Sequence, residues 1–167
     1  DLSEVAQTRS EEYPFDDPML PLQWHYRNLG NEATFPGVKA GADANIFPAW
    51  EHTAGRSDII VAVVDEGVCY SHVDLKDNMC ANQAELNGED GVDDDNNGYV
   101  DDVYGYNFVH NGKVSWTRNG DSGHATHVAG TVAAVNNNGI GVSGIAGGTG
   151  KGDGVKMISC QILSGGT

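Results

Sequence analysis

The succession of segments in this chain predicts an open α/β sheet, and three observations carry that expectation. Ile59 to Val64 is a continuous apolar, β-branched run, the pattern of a strand covered on both faces. Val155 to Leu163 reads as another buried strand. Between them, His124 to Val135 places Val128, Val132 and Val135 at three- and four-residue steps, which predicts a helix. The alanines and glycines of that stretch suit close packing against something. Strand, loop, strand, helix, strand is the order of such a sheet.

The remaining elements follow in chain order. Asp1 to Asp17 is polar and acidic with scattered proline, and predicts an extended arm over residues 1–19. Leu22, Trp24, Tyr26 and Leu29 supply apolar anchors to tie that arm down. Ala44 to His52 suits one short helix, with Pro48 near its first turn, Ile46, Phe47 and Trp50 turned inward, and Gly55 to end it. Asn87 to Asp102 is built of Gly, Asn and Asp and predicts a loop. Val103 to Val109 carries aromatic and β-branched residues suited to a strand. Asn136 to Gly139 stops the long helix.

Composition bounds the class. The 167 residues fit one domain, and 39% hydrophobic content is enough for a core. No apolar run approaches the roughly 18 residues that span a bilayer. The net charge of −15 argues against nucleic acid, whose phosphates need clustered Lys and Arg. An acid surplus is compatible with divalent cations and with solubility. Cys69, Cys80 and Cys160 match no zinc spacing, so one disulfide plus a thiol and three apolar thiols both stay open. The start at Asp1, without a basic or apolar leader, is expected of a processed or truncated product.

Two residues stand out for chemistry. Asp65 ends the first apolar run, which places its carboxylate at the lip of a buried strand. His124 opens the helical stretch. A histidine base needs a carboxylate to fix its tautomer and stabilise its imidazolium, and these two would supply that pair. D-E-G-V-C-Y-S-H-V-D-L at Asp65 to Leu75 and H-A-T-H-V-A-G-T at His124 to Thr131 resemble the Asp and His segments of the subtilisin-like serine proteases. D-D-P…Q-W at Asp16 to Trp24 is similar to the mature N-terminus of several members, and A-W-E-H-T-A-G at Ala49 to Gly55 fits the helix before the first strand. The order Asp before His is the family's order.

The resemblance implies a three-layer, mostly parallel α/β sheet with helices on both faces, incomplete in this chain. Residues 20–167 would form the N-terminal part of a peptidase domain, with an acidic loop insertion at about 87–102. It implies Asp65 and His124 as catalytic residues, His127 as a second, non-catalytic histidine, a polypeptide substrate, and a secreted, periplasmic or cell-surface setting. Two residues depart from the pattern. Glu66 stands where Ser or Thr is usual: its charge would tend to keep His124 protonated and weaken it as a base, or its side chain would point to solvent, since neighbours alternate along a strand. Ala125 stands for Gly.

The family's nucleophile lies in a G-T-S-x-A-x-P segment, which this sequence does not contain. Ser143 is not in a G-x-S-x-G elbow, because Ile145 stands where Gly would be. Ser159 sits in an apolar strand pattern, and Ser164 in a terminal turn. The expectation is therefore a serine on the C-terminal remainder of the same domain, carried by a second chain or an absent segment. This chain alone would be inactive. The alternative is a catalytically silent calcium-binding or adhesion module on the same scaffold.

Two calcium sites are expected. The resemblance implies the first, held by Asp17 of the arm, Asp74, Asn138, and the backbone carbonyls of Val135, Ile140 and Val142, with Gln23 as an alternative arm ligand. The second is read directly. Asp93, Asp95 and Asn97 alternate before Gly98 and Tyr99, the opening of a D-x-[DN]-x-[DN]-G loop whose seventh residue donates a carbonyl. Asp101 or Asp102 would close the shell. Position twelve is Tyr104 rather than Glu, so it is not an EF-hand. Seven acidic residues between Gly88 and Asp102, with no Lys or Arg, repel one another without a cation.

Overall fold

The structure is a computed structural model that describes residues 13–117 and 123–164. Most of the expected arm, residues 1–12, lies outside the described residues. A four-stranded sheet runs in the order β1-β4-β2-β3. Its strands are β1 (Ile60–Asp65), β2 (Gly105–Asn107), β3 (Gly112–Lys113) and β4 (Lys156–Gln161). β4 enters between β1 and β2 and runs parallel to both, while β3 pairs antiparallel with β2. The register sets Val63 beside Ser159 and Asp65 beside Gln161.

Among the described residues, three α-helices accompany the sheet: α1 (Ile46–Trp50), α2 (Gln83–Asn87) and α3 (His124–Ala133). α3 is the one that packs on the strands. Ala125, Ala129 and Ala133 recur every four residues and are fully buried, so the contact face carries only methyl groups and the backbone can approach the sheet closely. Val63, Val68, Leu75, Met79, Val155 and Met157 fill the core beneath them. Each such buried aliphatic side chain contributes about 2 kcal/mol. Val128 and Val132, which carry the sequence periodicity, pack at the edge of this core instead. The helix ends two residues before Val135.

The mostly parallel sheet is as expected, but the layering is one-sided in this chain. Parallel partners share a face, so Ile60, Ala62, Val64, Ile158 and Cys160 line the side opposite α3. Ile60 and Val64 are 57% and 58% exposed. The run Ile59 to Val64 has the composition of a strand covered twice, yet among the described residues no helix covers this second face. The expected strand over Val103 to Val109 shortens to three residues. β3 was not anticipated, although Asn111-Gly112 is a hairpin signal.

The arm is tied down by Leu20 and Tyr26, both buried, whereas Leu22, Trp24 and Leu29 stay exposed. Tyr26 donates its hydroxyl to the Ser143 carbonyl at 3.0 Å. Its ring meets Trp50 of α1 edge-on. Trp50, Phe47 and Ile46 are only half-buried, because α1 packs on the arm's aromatic residues and not on the sheet.

Candidate active site and cation sites

Asp65 closes β1 because the chain turns sharply after it. The Glu66 N–H donates back to Asp65 Oδ1 at 2.7 Å. Gly67 follows, where a Cβ would lie 2.0 Å from the Ser115 carbonyl oxygen, so only glycine fits. α3 begins at His124 from Gly123, whose φ of +76° is a left-handed conformation that side-chain-bearing residues avoid. Strand end and helix start then meet: His124 Nδ1 lies 2.8 Å from Asp65 Oδ2 and 3.0 Å from Oδ1.

The electrostatics fit an acid and base pair. Burial works to raise the Asp65 carboxyl, but the Glu66 amide and the His124 imidazole outweigh it and hold it below the ordinary value. The hydrogen bond from Asp65 raises His124, the Asp65 charge adds to this, and Glu66 contributes further. Asp65 is 13% exposed at its side chain and His124 is 66% exposed. An imidazole whose Nδ1–H is fixed on a carboxylate does its proton exchange through Nε2, the arrangement of a general base. His127, one turn along α3, lines a separate cavity of about 330 Å³ with His25 and His72.

Two of the three serines weighed as nucleophiles, Ser143 and Ser159, are otherwise engaged. Ser143 is fully buried and donates its hydroxyl to Asp17 Oδ2 at 2.5 Å. Ser159 is fully buried in β4, and its hydroxyl accepts the Val68 N–H at 3.2 Å.

The structure brings the arm, Asp74 and the post-helix loop together. Asp17 accepts the N–H groups of Asn137 and Asn138 at 2.9 and 3.0 Å. Asp74 accepts the Asn138 side-chain amide at 2.9 Å and the Val142 N–H at 3.0 Å. The two carboxylates are 1% and 2% exposed. Burial raises both carboxyls above the ordinary range, against the pull of their hydrogen bonds. Gly141 turns with φ +53°, and a Cβ there would lie 2.4 Å from Asp74 Oδ2. Among the described residues no donor reaches the carbonyl oxygens of Val135, Ile140 or Val142. Buried carboxylates and unpaired loop carbonyls are the hard oxygen donors that suit a calcium ion. Gln23 uses both ends of its amide on the backbone of Ser143, which leaves Asp17 as the arm's donor.

The acidic loop is assembled differently. Asp93 Oδ1 and Oδ2 accept the Asn97 and Gly98 N–H groups. Asn97 Oδ1 accepts the Tyr99 N–H, and its amide nitrogen bridges Asp95 and Asp102. Glu85, Asp93 and Asp95 bring carboxylate oxygens within 4.8 Å of one another. Glu85 was missed by the sequence reading. It is buried, and accepts the N–H groups of Asp94, Asp95 and Asp101. Its signal was Asn82-x-x-Glu85 at the start of α2, a helix-capping pattern, and Asn82 indeed accepts the Ala84 N–H. Lys113 of β3 reaches Asp90 and Asp101, so the loop has one cationic neighbour from outside.

Fold and site together carry a subtilisin-type arrangement, an aspartate at a strand's end against a histidine at a helix's start. The chain belongs to the subtilase family, whose model matches residues 56–158. It is 35% identical over 161 residues to Subtilisin-like protease 1 of Plasmodium falciparum, a match covering 95% of this chain and 20% of that protein. It is 36% identical over 154 residues to the Extracellular basic protease of Dichelobacter nodosus, covering 89% and 22%. Among solved structures it resembles the Aeromonas sobria serine protease, determined in complex with the chaperone ORF2. That match has a TM-score of 0.62 and 27% identity, and covers 93% of this chain and 22% of the other. The chain thus spans about a fifth of the length of these relatives.

Proposed function

We propose that this chain carries the acid and the base of a Ser-His-Asp endopeptidase. The single observation behind this reading is the 2.8 Å contact between His124 Nδ1 and Asp65. Asp65 orients the imidazole, and His124 takes the proton of a serine and returns it to the leaving amine. The serine belongs to the C-terminal remainder of the domain, as a second chain or a further segment. The substrate is a polypeptide. A secreted or cell-surface setting is supported by the name of the Dichelobacter relative. Among the described residues no helix is long and apolar enough to cross a membrane.

Calcium belongs to the same reading. Asp17, Asp74, Asn138 and the carbonyls of Val135, Ile140 and Val142 hold one ion between arm and loop. Glu85, Asp93, Asp95, Asn97, Tyr99 and Asp102 surround a second. When bound, calcium supplies charge neutralisation and a cross-link, and takes no part in peptide cleavage.

The test is peptide hydrolysis by the completed domain. Asp65→Asn should lower kcat by about 10⁴-fold, the scale at which such a pair acts, and His124→Ala by a similar factor. A serine-directed fluorophosphonate should label no residue of this chain. Labelling of Ser143 or Ser159 contradicts the assignment, and a completed domain that folds without turnover favours the silent module.

A further inference from the structure

The Asp65–His124 pair joins the end of β1 to the first residue of α3, two elements that also pack through Val63 and the helix's alanine face. Beyond Asp65 the chain leaves the sheet, and residues 66–69 follow no strand. α3 begins at His124, and its N-cap Gly123 has no side chain to cap the first turn. Something must set the spacing between the strand's exit and the helix's entry.

Two hydroxyl groups reach the exit segment. The Val68 N–H donates to Ser159 Oγ of β4 at 3.2 Å, in a fully buried contact. The next amide, Cys69 N–H, donates to Thr126 Oγ1 of α3 at 2.9 Å. Consecutive amides are thus held by the sheet on one side and by the helix on the other. Just before these amides the chain runs close to Ser115, where a Cβ at Gly67 would lie 2.0 Å from the carbonyl oxygen.

The two threonines of α3 show how particular the second bond is. A helical threonine can turn its hydroxyl back on its own helix, to the carbonyl four residues earlier. Thr131 does so, donating to the His127 carbonyl at 3.2 Å. The Thr126 hydroxyl accepts an amide from another element, two residues along the helix from His124.

We propose that Thr126 is a positioning residue for the acid–base pair: its hydroxyl, by accepting the Cys69 amide, locks the exit of β1 to the first turn of α3 and so sets the contact between Asp65 and His124. The inference rests on the endopeptidase reading of that pair. Thr126 itself neither exchanges a proton nor touches the reacting groups; it acts through the backbone.

The test is NMR titration of the His124 ring in the full chain, together with its low-field Nδ1–H signal. In the native chain His124 should titrate above an ordinary histidine, with that signal present. Thr126→Val keeps the shape and removes the hydroxyl. It should bring the His124 midpoint down toward the ordinary value and broaden or abolish the Nδ1–H signal. Thr126→Ser should retain both, and Thr131→Val, which removes the other hydroxyl of the same helix, should leave both unchanged. A Thr126→Val chain of lowered thermal stability with an unaltered His124 titration overturns the proposal, because a merely structural bond gives that result. If Thr126→Val does not fold, the same readings on Thr126→Ala decide in the same way. A native His124 that titrates as an ordinary histidine overturns the pair itself, which separates the two failures.

Discussion

Two acidic regions of this molecule hold the same kind of side chain under opposite conditions. Asp17 and Asp74 come from distant parts of the chain, are almost fully buried, and take every hydrogen bond from a loop more than sixty residues away. Glu85 and the aspartates between Asp93 and Asp102 are close in sequence, and all but Glu85 are partly or fully exposed. Burial decides what the charge is worth. A carboxylate in water is screened and cheap, whereas one withdrawn from water must be satisfied by donors or by a cation. The first region therefore ties the fold together, and the second mostly shapes one loop.

The largest expected difference is mutational. Asp17→Ala strips the acceptor from two amides and from the buried Ser143 hydroxyl, and should cost on the order of 3 kcal/mol or more in urea unfolding. Asp95→Asn, in the exposed loop, should cost under about 1 kcal/mol. Equal costs would erase the contrast drawn here. Chelation is the next test. Removing calcium should lower the thermal midpoint by an amount equivalent to about 2.7 kcal/mol if the free ion stood at a hundred times its Kd. Most of that shift should vanish in Asp74→Asn and persist in Asp93→Asn. An unchanged midpoint in the native chain would remove both cation sites.

The sign of the pH dependence sharpens the comparison further. With chelator present, Asp17 and Asp74 have raised pKa values, mainly through burial. The folded state then binds more protons than the unfolded one, so stability falls as pH rises from the ordinary carboxylate value through the raised one. A bound cation favours the ionised form and inverts that slope. Thermal midpoints followed across the acid range, with and without calcium, would show the crossing. The same slope in both conditions would refute it.

The smallest effect belongs to the exposed pair. His124 is raised, so its contribution is present at low pH and lost as pH rises through its folded pKa. Asp65 is depressed, so its contribution is lost as pH falls through its own. The pair is strongest between the two. Asp65→Asn should shift the His124 titration down clearly, and Glu66→Gln only slightly. A larger shift from Glu66→Gln would mean that the wrong carboxylate had been paired with the imidazole.

How far these features could be read in the sequence follows the same division. Asp65, His124, Asp17, Asp74 and the loop after α3 were legible because each sits in a motif with a fixed neighbour pattern. Glu85 was not, since a lone Glu in the first turn of α2 looks like a capping residue until the acidic loop folds onto it. The open face of β1 was hidden for another reason. A run such as Ile59 to Val64 reports what a strand can bury, not which chain segment supplies the cover. The inward turn expected of Phe47 and Trp50 also failed, because helical spacing gives a face without naming the surface it meets. Thr126 was invisible in kind: its partner is a backbone amide, which carries no sequence signal.

Tyr26 carries a consequence of a different sort. Burial pushes its phenol up to about 12, against the effect of its Gln23 hydrogen bond. In alkali the folded chain therefore withholds the Tyr26 phenolate from the ultraviolet spectrum, and releases it when the arm comes away from the Ser143 carbonyl. Detachment of the N-terminal strap thus has a built-in optical reporter that needs no label.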